Sequence, residues 1–202
     1  AALVVMLLPR ESRTPIRVTS LAGALASLVG SVAALARYDR ARGGLQMVED
    51  VALAPSFGVH LRFALDGWGA PLLLLTGVII VAGVLASWTL ARREREYFVL
   101  LLVLLGGVIG VFGTQDLLVF FLFYEIAVLP MYLLIGIWGA SHAVPAKGPF
   151  ARAWGAFSVG DRQYAAMKLT LMLLVGSAAI LVAIFAMYAA AGSRTFDLGD
   201  LG

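Results

Sequence analysis

Cysteine is absent from the 202 residues, and histidine occurs only twice. Without thiols the chain forms no disulfide, no thiolate zinc site, no iron–sulfur ligation and no cysteine nucleophile. His60 and His142 stand apart in loops without ligand spacing, so no metal or haem site is expected from them. Charge is scarce as well: Asp, Glu, Lys and Arg make up 13% of the chain, for a net +3. Those charges sit in short loop runs, so they carry topology information and are no nucleic-acid footprint. There is no glycine-rich phosphate loop, catalytic triad or nucleotide fingerprint, no repeat and no low-complexity tract. What chemistry remains open is ion movement.

What is abundant is apolar surface. Hydrophobic residues make up 61% of the chain, and mean hydropathy is +0.95. These values lie far outside the range of water-soluble domains and place the chain in a bilayer. The useful unit is then a stretch of about 20 apolar residues, enough to cross a hydrocarbon layer of roughly 30 Å. The expected fold is all-α, a polytopic transmembrane helical bundle of about six helices.

Residues 1–36 hold a partial first helix, ended by Pro9, and a second from about Val18 to Ala36. The first lacks an initiating Met and resembles the tail of a helix already under way, so the chain is expected to be a piece of a longer protein. Residues 37–69 turn polar, with Gly43-Gly44, Pro55 and Asp66-Gly67, and form an extramembrane loop able to make a short hairpin. Residues 70–138 hold helices three to five. The cluster Arg92-Arg93-Glu94-Arg95-Glu96 ends the third as solvated, topogenic charge, and the turn Gly113-Thr114-Gln115-Asp116 supplies an N-cap for the fifth. Residues 139–163 are a long Gly/Pro/basic loop, 164–191 helix six, and 192–202 a closing loop.

Alternate loops differ in basic charge. Arg10, Arg13, Arg17, Arg92, Arg93, Arg95, Lys147, Arg152 and Arg162 fall on one side, which the positive-inside rule places in the cytoplasm. Arg37, Arg40, Arg42, Arg62 and Arg194 fall on the other, mainly in the 37–69 loop, which is then periplasmic.

Glu125 is the position that a bilayer tolerates least. Leu117 to Phe121 precede it and Val128-Leu129 follow it, so its carboxyl reaches neither interface. Insertion scales charge roughly 2.5 to 3.5 kcal/mol for an acid at a helix centre. The side chain must be protonated, paired or hydrated within the protein; the alternatives are a titrating group and a glutamate in a fixed structural pair. Pro130, five residues on, cannot donate to the carbonyl of Ile126 and is expected to kink the helix beside the acid. The freed carbonyl could hold water, or the kink could serve packing alone. Lys168, one turn into helix six, either snorkels to the headgroups or faces a polar cavity and passes protons toward Glu125. Gly106, Gly107, Gly110 and Gly113, with a GxxxG spacing from Gly106 to Gly110, let another helix approach closely.

The stretch GGVIGVFGTQDLLVFFLFYEIAVLPMYLLIGIWG, Gly106 to Gly139, resembles chain M of the proton-pumping NADH–quinone oxidoreductase, the homologue of mitochondrial subunit 4. FALDGWGAPLLLLTGVII (Phe63 to Ile80), LASW (Leu85 to Trp88), YAAMKLTLMLLVGS (Tyr164 to Ser177) and TFDL (Thr195 to Leu198) extend the resemblance over most of the chain. It implies the N-terminal portion of an antiporter-like subunit of respiratory complex I, in which buried carboxylates, lysines and water move protons in step with quinone reduction. The FYE…LPMY motif puts the family's helix-five glutamate on Glu125, and YAAMK puts its helix-six lysine on Lys168. The family's glutamate pairs with a lysine on a later, broken helix, beyond Gly202.

By the same resemblance the chain is a non-redox subunit of a translocase and carries no cofactor, while FMN, iron–sulfur clusters and quinone belong elsewhere in the complex. The implied partners are other complex I membrane subunits, especially neighbouring antiporter-like subunits, and the lipid bilayer. The implied location is a bacterial cytoplasmic membrane. Two related identities share the glutamate: the large subunit of a multisubunit sodium/proton antiporter, and that of a membrane-bound hydrogenase. The loop 141–161 is longer than the family's usual link.

Overall fold

The computed structural model describes residues 1–9, 12–54, 59–90, 92–140, 161–190 and 196–197. Its elements in chain order are α1 (Ala2–Leu7), α2 (Arg13–Arg37), β1 (Gln46–Ala54), β2 (Val59–Leu65), α3 (Gly69–Ala86), α4 (Glu94–Gly113), α5 (Leu117–Trp138) and α6 (Asp161–Ala190). Helices α2 to α6 are each long and apolar enough to cross a membrane. The chain is a multi-pass membrane protein with a predominantly helical bundle. His142, Lys147, Arg152 and most of the 139–163 loop, with Arg10 and Arg194, lie outside the described residues.

Burial supports the bilayer reading by its inversion. Along α6, Met172, Val175 and Val182 are each about 70% exposed, which water would oppose and lipid or further apolar helices would not. Helix α2 packs on α3 and α4, α4 on α5, and α5 on α6. Val5, Ile16, Ala24, Ile80, Val84, Phe98, Leu102 and Leu105 join α1 to α4 in one core. A second core, Val59, Val119, Ile184 and Phe196, gathers β2, α5 and α6 at the other end of the bundle.

The polar stretch after α2 holds an antiparallel hairpin, β1 against β2, with Val51 opposite Leu61 and irregular register at both ends. It is docked on the α4–α5 turn. Phe63 bridges Thr114, and the Gln115 backbone amide donates to the Arg62 carbonyl at 2.9 Å.

Two expectations change at the cytoplasm-assigned end. Helix α3 stops at Ala86, and α4 begins at Glu94, with Arg93 left-handed at its start (φ 52°). The charge cluster is therefore partly helical, placing Glu94 and Glu96 in the first turn, where acids complement the helix dipole. Glu94 is not solvated: it is 6% exposed and ion-paired with Arg17, whose guanidinium also lies 5.9 Å from the Trp88 ring centroid.

The close approach of α4 and α5 also uses a different glycine pair. A Cβ on Gly107 would stand 2.9 Å from Ala127, and one on Gly110 would strike the Phe123 ring, whereas Gly106 faces open space. The apposed glycines are three residues apart, on the i±3 ridge that meets Phe123 and Ala127, and Gly106 belongs to a different face.

Candidate functional site

Helix α5 starts where Asp116 supplies a side-chain cap. Its Oδ1 accepts from the amides of Leu118 at 2.9 Å and Val119 at 3.0 Å, satisfying donors that the first turn leaves free. Its other oxygen accepts from the His60 amide at 3.0 Å, so one buried carboxylate fixes both the helix start and the hairpin. From there α5 runs 22 residues, through Pro130, to Trp138, a length of about 33 Å at 1.5 Å per residue. Glu125 is its ninth residue, about 12 Å from the Asp116 end and about 20 Å from the Trp138 end.

The Glu125 carboxyl is half-buried, and its Oε1 is enclosed with no hydrogen-bond partner among the described residues. Such an atom is expensive to leave unsatisfied, at roughly 1 to 3 kcal/mol and more when charged. The faces of α5 explain what surrounds it. Phe123, Ala127 and Pro130 recur at i, i+4 and i+7, and the first two meet the glycines of α4. Glu125 lies about 200° from Phe123 at 100° per residue, on the opposite stripe. That stripe also carries Gly136 and Gly139, eleven and fourteen residues on, where an added Cβ would stand 3.6 Å from the Ala166 Cβ and 3.4 Å from the Arg162 Cβ. Glu125 therefore faces the α6 side.

Lys168 is not brought to it. Helix α6 turns Ala166, Ser177 and Ile184 inward, all buried, and Lys168, two residues past Ala166, lies about 200° round the helix. It is exposed on the face away from α5. In depth it is nine residues from Ser177, the position level with Glu125 by the register from Gly136 and Ala166, or about 14 Å. Near the Trp138 end, a cleft of about 290 Å³ opens between α5 and α6, lined by Tyr132, Leu133, Gly136, Ile137, Gln163 and Met167. Tyr132 is two turns beyond Glu125 on the same stripe. Among the described residues no group of His, Asp and Glu could hold a metal ion.

Absent from the sequence-based expectations are the part-buried Arg17–Glu94 pair, the Arg62–Asp197 ion pair beyond α6, and Ser177. The first two join residues 77 and 135 positions apart, a separation that carries no local signal. Ser177 had one available sign: it shares a helical stripe with Ala166.

No protein-family model matches the chain. Over 203 aligned residues it is 38% identical to a NAD(P)H-quinone oxidoreductase chain 4 of Synechococcus elongatus, covering all of this chain and 34% of that protein. The chain resembles the chain-4 family from end to end. A chain 4 from Gloeobacter violaceus is 37% identical over 202 residues, again covering 34% of its length, so the chain spans about a third of its chain-4 relatives. In structure it is similar to a chain of respiratory complex I from Thermus thermophilus, with a TM-score of 0.77 and 26% identity, over 99% of this chain and 36% of that one. A chain of the Mrp complex from Dietzia sp. shares the fold at a TM-score of 0.72 and 22% identity, over 99% of this chain and 19% of that one.

Proposed function

We propose that this chain is part of a proton-translocating, non-redox membrane subunit of a NADH:quinone oxidoreductase, respiratory complex I, and that Glu125 is the group that gains and loses the proton. The observation that carries this reading is the enclosed, partnerless Oε1 of a carboxyl deep in a membrane-spanning helix. A group so placed is sensitive to any charge or water that enters its surroundings, because little else there compensates it. Pro130 adds a carbonyl, that of Ile126, which lacks its amide donor one residue from the acid and can accept from water. Moving one charge through 100 mV takes about 2.3 kcal/mol. A tenfold to hundredfold change in proton affinity, about 1.4 to 2.7 kcal/mol, is of matching size.

In this reading Lys168 relays protons on the outer face of α6, through water and neighbouring helices, without direct contact with Glu125. FMN, iron–sulfur clusters and quinone reside in other subunits, and the chain's neighbours are further antiporter-like membrane subunits in a bacterial cytoplasmic membrane. The relatives named above at 37 to 38% identity are quinone oxidoreductase subunits, whereas the likeness to the Mrp complex is one of fold. The reading is tested in the assembled complex with Glu125→Gln, by proton uptake per NADH oxidised. The expected result is loss of proton uptake; an unaltered ratio overturns it.

A further inference from the structure

The seam between α5 and α6 holds a second polar side chain besides that of Glu125. Ser177 is 4% exposed, on the stripe that α6 turns toward α5. Its depth follows from the antiparallel register: Gly136 meets Ala166, and eleven residues back along α5 and eleven forward along α6 lie Glu125 and Ser177. The count continues to the next landmark, since Val119 and Ile184, seventeen and eighteen residues from the same pair, share one buried cluster. Eleven residues are close to three whole turns, so both side chains return to the faces that meet at Gly136 and Ala166.

The Ser177 hydroxyl is also held differently from its counterparts. Ser20, Ser31 and Thr170 donate to carbonyls four residues back at 2.8 to 2.9 Å. Ser177 donates to the Leu174 carbonyl, three residues back, at 3.1 Å. A hydroxyl offers one donor and two acceptor sites, and its hydrogen rotates to suit. Donating to Leu174 leaves the oxygen free to accept from a carboxylic acid, and turning away from Leu174 lets it donate to a carboxylate.

In the structure the Ser177 hydroxyl is on the Leu174 carbonyl and the Glu125 Oε1 is unpartnered among the described residues. We propose that Ser177 is a positioning residue for Glu125, its hydroxyl hydrogen-bonding the carboxyl across the α5–α6 seam when the carboxyl turns to it, and serving both protonation states by reversing the direction of the bond. The inference rests on Glu125 being the titrating group. A proton can then leave and return without stranding the carboxyl, and the carboxyl is held toward α6 in both states.

The test uses the assembled complex and the infrared carbonyl band of the protonated Glu125 carboxyl, identified by its loss in Glu125→Gln. In Ser177→Ala the band moves to higher frequency, as for a carboxylic acid whose O–H has lost its acceptor. NADH-driven proton uptake falls about tenfold, the equivalent of one hydrogen bond, and Ser177→Thr restores both. Ser177→Cys comes close to the packing volume but its sulfur accepts weakly, so its band moves in the same direction even where Ser177→Ala assembles poorly. A band unmoved in Ser177→Ala or Ser177→Cys, in a complex whose proton uptake stops with Glu125→Gln, overturns the role of Ser177 and leaves that of Glu125 standing. Proton uptake that survives Glu125→Gln overturns both.

Discussion

Asp116 is fully buried and satisfies three backbone amides, two in the first turn of α5 and one on β2. Replacing it with alanine removes a cap, at about 1 to 2 kcal/mol, and strands the His60 amide, at about 1 to 3 kcal/mol. Asp116→Ala is therefore expected to lower stability by on the order of 3 kcal/mol in thermal unfolding of the detergent-solubilised protein. Asp116→Asn, which still caps, should lose much less. Equal losses in the two variants would mean that the cap geometry is not what matters there. The cap was legible in the sequence because its partners are two and three residues away. Its hold on the hairpin was not, because His60 is 56 residues distant. Glu125 was legible for another reason: a bilayer penalises an acid wherever the fold puts it. Ser177 escaped notice because a serine in a membrane helix normally satisfies itself on its own backbone.

Among the elements, the α4–α5 pair is set by which glycines leave room. Gly110 lies against the Phe123 ring, and Phe123 in turn makes an edge-to-face contact with Phe63 at 6.0 Å. A methyl group at Gly110 must push that ring aside, and overpacking of this kind costs about 1 to 3 kcal/mol. Gly106→Ala meets nothing within 4 Å. Thermal unfolding should show Gly110→Ala clearly destabilised and Gly106→Ala near the parent; the opposite order would contradict the α4–α5 packing. Four glycines in one helix announced a close approach, but choosing between Gly106 and Gly107 needs the rotation of α4 against its neighbour. The same missing rotation left open which way Lys168 points. Its position along α6 was readable, while its face depends on where α5 lies.

For the whole molecule, the antiparallel bundle collects Arg13, Arg17, Arg92, Arg93, Arg95 and Arg162 near one end, opposite the hairpin. The number and class of the spans were legible from hydropathy, because a bilayer fixes the length that an apolar helix needs. Helix ends were less so: Glu94 reads as solvated charge until Arg17, from a different helix, is placed beside it. Absence of cysteine permits a clean test of orientation in intact cells. With a membrane-impermeant thiol reagent, Met47→Cys on the exposed hairpin should label from outside, and Arg92→Cys only after the membrane is opened. The reverse pattern would invert the topology and place the basic end outside.

If Glu125 changes protonation during turnover, as proposed, infrared difference spectroscopy of the assembled complex between resting and NADH-driven states reads that change directly. A carboxyl band should appear or disappear on turnover and be missing in Glu125→Gln. A driven-minus-resting spectrum with no carboxyl change assignable to Glu125 would contradict the proposal and make the residue a fixed structural glutamate.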